Sequence, residues 1–130
     1  MQPRQVRDAQ TPSDRANRPL PMQLAQSLEP KARRALMHVI RRRILRALSQ
    51  EQTPQTPQDL HATLRRDRLA TINYHLLVLG DCGSVAVARI EQDRGANARS
   101  FVSNVANDAQ YAAVLRATEQ LDGEAKSEFG

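Results

Sequence analysis

From Met22 onward, apolar positions fall into short periodic blocks separated by proline, glycine and polar clusters. Pro30 suits a first helical position, because its missing N–H would be unpaired there anyway. After it, Leu36, Ile40, Ile44 and Leu48 recur at every fourth residue with Leu45 beside them. That period predicts one buried helical stripe, with Arg41, Arg42, Arg43 and Arg46 on the other faces, where at least two of Arg41, Arg42 and Arg43 are expected to form a solvated and partly ion-paired surface. Pro54 and Pro57 close the block. Thr56, Pro57 and Asp59 read as a helix start: a hydroxyl to cap free N–H groups, a proline to open the helix, and a carboxylate at the positive end of its dipole. Leu60 and Leu64 give this short helix one buried edge. Asp67 is expected to cap the next helix, in which Leu69, Ile72, Leu76 and Leu79 span about 80° of arc and form one core face. Thr71 and Tyr74 point away from that face, with Asn73 and His75 on the flanks. Leu77 and Val78 are apolar yet off the stripe. Gly83 is the expected helix stop.

The period then shortens. VAVARI (85–90) alternates as a strand, EQDRGAN (91–97) supplies a turn, and ARSFV (98–102) returns, which predicts a β-hairpin. Asn107 or Asp108 can cap a last helix whose stripe is Tyr111, Val114, Leu115, Thr118 and Leu121. Residues 1–20 carry three prolines, mixed charge and almost no large apolar side chains, so they are expected to form a disordered arm. Residues 124–130 are expected to fray.

Length and charge narrow the picture. One hundred and thirty residues suffice for one domain with little to spare. Residues 31–70 carry a net +7 and residues 104–130 a net −3, so the basic and acidic excesses sit at different ends. A polyanionic partner met by one face fits that asymmetry. Aromatic residues are 3% of the chain and tryptophan is absent, which argues against a single-strand platform built on base stacking. No apolar run is long enough to span a membrane, and the N-terminus lacks the apolar core of a secretory signal. A single cysteine rules out a disulfide within the chain and favours a reducing compartment. A cytoplasmic location is therefore expected. Cys82, His38, His61 and His75 sit at no spacing of a zinc site, so no metal and no cofactor are expected. No nucleophile–base arrangement, phosphate-cradling glycine loop or carboxylate pair stands out, and an enzyme is not expected.

A short helix, a tight turn, an amphipathic helix and a hairpin, in that order, form the layout of a winged helix-turn-helix. The expected fold class is thus mainly α with a small β-hairpin wing. ALMHVIRRRILRAL (35–48), TPQDLHATL (56–64) and LATINYHLLVLGDCGSV (69–85) resemble, in order, the opening helix, the first helix of the pair and the recognition helix of ArsR-like transcriptional regulators. The resemblance covers about residues 31–105. It implies a break near His38, a histidine at the position of His75, and a cytoplasmic homodimer, usually a repressor, that pairs through its terminal helices. The paired cysteines of metal-sensing members have no counterpart here.

Residues 21–105 are accordingly expected to form the DNA-binding unit and 106–123 a dimerisation helix. Arg66, Arg68, Thr71, Asn73 and Tyr74 are the expected contacts to bases and phosphates. Arg94 and Arg99, on the wing, are expected to meet the backbone and add affinity without specifying sequence. Leu24, Leu28, Tyr111, Val114, Leu115, Thr118 and Leu121 are the expected dimer seam. A two-fold dimer calls for an inverted repeat in double-stranded DNA. Two other readings stay open: an architectural DNA-binding protein without sequence preference, and a winged-helix adaptor that binds an acidic protein, which the apolar Leu77 and Val78 favour. The operator, the target genes, any effector and the role of the N-terminal arm leave no mark in the sequence.

Overall fold

The computed structural model describes residues 20–51, 53–93 and 96–123. The expected arm (all but Leu20), the frayed tail and Arg94 lie outside these residues. Among them are six helices and one antiparallel hairpin, so the chain is mainly helical with a small two-stranded sheet. Leu20, assigned to the arm, is buried in the core.

Helix α1 (Met22–Gln26) starts on the Pro21 carbonyl, which accepts from the Leu24 and Ala25 N–H groups. Pro30 opens α2 (Pro30–Leu36), which buries Ala32, Ala35 and Leu36. The chain then breaks at His38, whose extended backbone and side chain start α3 (Val39–Gln50): His38 Nδ1 accepts from the Ile40 N–H at 3.1 Å. Ile44, Leu45 and Leu48 are buried and Ile40 is half-buried, as the fourfold period requires.

Thr56 and Asp59 form a reciprocal cap at the start of α4 (Pro57–Thr63). Thr56 Oγ1 accepts from the Asp59 N–H at 3.0 Å, and Asp59 accepts from the Thr56 N–H at 2.9 Å. Leu60 and Leu64 are buried. Helix α5 (Leu69–Asp81) begins differently from expectation. Its N-cap position is Arg68, without a side-chain cap, because the Asp67 carboxylate turns back to Arg43 on α3 at 3.6 Å. An ion pair across the fold thus takes the carboxylate that would have capped the helix. Val78 is also buried, since α5 packs against α3, α4 and β1 at once, and three neighbours cover a wider arc than one. At the far end Gly83 adopts φ 76°. The Gly83 N–H donates to Gly80 O and the Ser84 N–H to Leu79 O, which satisfies two terminal carbonyls and turns the chain into the hairpin.

Strand β1 (Val85–Asp93) pairs with β2 (Ala96–Ser103), from Val85 opposite Ser103 to Asp93 opposite Ala96. Most of the segment expected as a turn is therefore strand. Ala88 is an extra residue between Val87 and Arg89, a bulge that shifts the register. Gln55 makes a two-way backbone bridge to Phe101 (3.0 and 2.8 Å), so the segment before α4 is tied to β2. Asp108 caps α6 (Ala109–Ala117) by accepting from the Gln110 and Tyr111 N–H groups. This helix ends at Ala117, earlier than expected, and Thr118 to Gly123 continue as turns.

Candidate functional site

The second helix of the α4–α5 pair has two unlike sides. Ile72, Leu76 and Leu79 are buried, as expected, and Leu69 is half-buried. The opposite side is a row of uncovered residues: Ala70, Asn73, Tyr74 and Leu77, with Gly80 and Asp81 beyond them. Tyr74 is 59% exposed and Leu77 66%. Of the expected contact residues, Asn73 and Tyr74 thus share one open face, whereas Thr71 is half-buried beside it. Asn73, predicted as a flank residue, is more open than Thr71, predicted as an outward one. The covered arc of α5 is displaced toward Thr71.

Three uncovered arginines stand before this helix. Arg65, Arg66 and Arg68 are exposed in the turn between α4 and α5. Arg65 Nε donates to the Ala62 carbonyl at 3.3 Å. The Arg66 guanidinium reaches back over the C-terminal turn, 3.6 Å from where a side chain at Gly123 would begin. Asp67 lies among them in sequence, but its carboxylate is spent on Arg43. The entrance to α5 therefore keeps a cationic surface.

His75 belongs to the other side of the helix. It is buried and packs on His38 at a tilt of 43°, with ring centroids 4.4 Å apart, while Tyr74 meets it edge-on at 5.0 Å. Burial, then the neighbouring His38 and Arg41, hold its pKa down to about 4. His38 is lowered too, by burial and by Arg41 and Arg42, with Asp67 pulling weakly the other way. Both imidazoles are therefore neutral near pH 7. His75 ties α5 to the start of α3 and faces no solvent-borne partner.

On the hairpin, Arg99 is exposed on β2 opposite Ile90 on β1. Ile90 and Val87 are exposed as well. The hairpin carries apolar surface next to its charge.

The arginines of α3 are not a solvated face. Arg42 is fully buried, and Arg43 and Arg46 nearly so. Arg42 holds Asp122 with two parallel bonds of 2.8 and 2.7 Å and donates through its remaining nitrogen to the carbonyls of Leu36 and Met37. Arg46 shares the same carboxylate at 2.8 Å and also donates to Thr118 Oγ1 and Leu115 O. Sequence reasoning missed this clamp. Asp122 lies 80 residues from Arg42 with no local pattern to mark it.

The stripe expected to join two chains is largely used inside one. Leu28, Tyr111, Val114 and Thr118 are buried against the chain's own core. The Tyr111 hydroxyl meets Ser84 Oγ at 2.9 Å, and Thr118 Oγ1 donates to the Val114 carbonyl at 2.8 Å. Leu24, Leu115 and Leu121 are half-buried.

A cleft of about 270 Å³ opens between α3, α4 and the following turn. It is lined by Arg43, Ala47, Gln50, Thr63, Leu64, Arg65 and Arg66, without a carboxylate, histidine or cysteine. Among the described residues no group of three or more acidic, histidine or cysteine side chains is arranged to hold a metal ion, and no helix is long and apolar enough to cross a membrane. Neither a scan of protein-family models nor a search of curated proteins returned a match for this chain.

Proposed function

We propose that this chain is a sequence-specific, double-stranded-DNA-binding transcriptional regulator of the ArsR-like winged helix-turn-helix type, acting as a homodimer and, by that resemblance, a repressor. One observation carries the reading. Helix α5 offers an open row containing Asn73 and Tyr74, seated from behind by α3 and α4 and entered past Arg65, Arg66 and Arg68. A helix about 10–12 Å across fits a major groove about 12 Å wide. An asparagine side chain pairs with both the N6 and N7 edges of adenine, which gives Asn73 a specific partner. The entrance arginines meet phosphate, and Arg99 on the hairpin meets the backbone beside the groove. Leu24, Leu115 and Leu121 supply the surface for the second copy. The binding site is then an inverted repeat with half-site centres about 34–36 Å apart or a multiple of that.

Selection of bound duplexes from a random pool, with the oligomeric state measured in parallel, tests this reading. The expected outcome is a two-fold symmetric site bound by a dimer. A monomer that prefers no duplex over random sequence would overturn it. A protein adaptor is the second reading, favoured by the apolar exposure of Leu77, Val87 and Ile90. It calls for weak, sequence-blind DNA binding and for a partner that competes with it.

A further inference from the structure

Leu77 is the one large aliphatic side chain of α5 that stands mostly in water. The helix does not need it for packing, because Ile72, Leu76, Val78 and Leu79 already fill the covered side. Its neighbours on the open side are Ala70, Asn73 and Tyr74, at the spacing i, i+3, i+4, i+7, which places the four residues on one face about 100° wide. No acidic residue interrupts that row. Asp81 is exposed only beyond it, near the end of the helix, while Arg65, Arg66 and Arg68 are exposed at its beginning. The charge thus selects a polyanion entering from the arginine end.

A helix lying in a major groove turns such a row toward successive base pairs. Among the base edges in that groove, thymine alone carries an apolar group, its 5-methyl, and apolar side chains are its match. We infer that Leu77 recognises the 5-methyl group of a thymine in each half-site, within about two base pairs of the one read by Asn73, since four residues of helix advance about 6 Å. The inference rests on the DNA-binding reading above and sharpens it: the preferred half-site contains a thymine whose methyl group, and not only its hydrogen-bonding edge, is read. Removal of one methyl contact weakens binding about threefold to fivefold, the size of one buried methylene-sized group.

The test starts from the best duplex obtained by selection and replaces its thymines one at a time with uracil, which lacks only the methyl group. One position in each half-site is expected to weaken binding threefold to fivefold for the unaltered chain. Leu77→Ala is expected to bind the thymine and uracil duplexes equally. Its thermal midpoint should stay put, because the side chain is exposed. If no uracil position matters, or if Leu77→Ala still distinguishes thymine from uracil, the inference is overturned while sequence-specific binding stands. A chain that prefers no duplex over random sequence overturns both.

Discussion

A pair of imidazoles links pH to the seating of α5. His75 is buried against His38, with Arg41 nearby, and its pKa is held down to about 4 from an ordinary 6.5. Near neutral pH it is uncharged in both the folded and the unfolded chain, so its contribution is fully present there. As pH falls below about 6.5 the unfolded chain takes up the proton first, and stability is lost progressively until about pH 4, where the folded chain titrates too. His38 acts in the same direction, and for a further reason: its Nδ1 must keep a lone pair to accept from the Ile40 N–H. The urea midpoint is therefore expected to drop between pH 7 and pH 4.5. His75→Leu should shallow that slope without abolishing it, since His38 remains. An identical slope in both proteins would show that His75 is not a source. The physical role of His75 is to hold α5 against the start of α3.

At the scale of elements, α5 and the hairpin divide the proposed work by what they present. Asn73→Ala is expected to cost about 1–3 kcal/mol on the best duplex and to relax preference at one position. Arg99→Ala should weaken every duplex to a similar degree and reduce the salt slope by about one. Titrations of specific and random duplexes at several salt concentrations separate the two, and equal losses on all sequences for both variants would deny the division. Elements governed by neighbouring residues were legible in the sequence. The Thr56–Asp59 cap, the Gly83 stop and the Asp108 cap each depend on groups a few residues apart. Asp67 instead lies 3.6 Å from Arg43, an ion pair across 24 positions that no local pattern marks. Val78 was misread because periodicity reports one covered face, and α5 is covered by three elements. Tyr74 is identifiable as an outward residue, whereas Asn73 reads as a flank and Thr71 as outward, the reverse of their exposure. The grouping of Asn73 and Tyr74 with Ala70 and Leu77 became visible only when the covered arc was placed in three dimensions.

For the molecule as a whole, the buried group of Arg42, Arg46 and Asp122 joins α3 to the turns after α6. A buried ion pair adds little against a well-packed apolar substitute, but removing one partner strands the other's charge. Asp122→Ala, which strands two guanidinium groups, is expected to lower unfolding free energy by about 3–5 kcal/mol. Replacing all three together (Arg42→Met, Arg46→Met, Asp122→Leu) should cost less than Asp122→Ala alone. Urea unfolding measures both, and a near-neutral Asp122→Ala would mean that the clamp is not closed in solution. The clamp also revises the charge asymmetry, because Arg42, Arg43 and Arg46 belong to the interior and only the remaining basic residues of 31–70 can face a polyanion. It has one more consequence, in the order of synthesis. Arg42 and Arg46 leave the ribosome some 80 residues before the carboxylate that neutralises them. Until Asp122 follows, burying either guanidinium leaves a charge without its counter-ion. The contact between α3 and the C-terminal turns therefore closes late, after Asp122 has emerged.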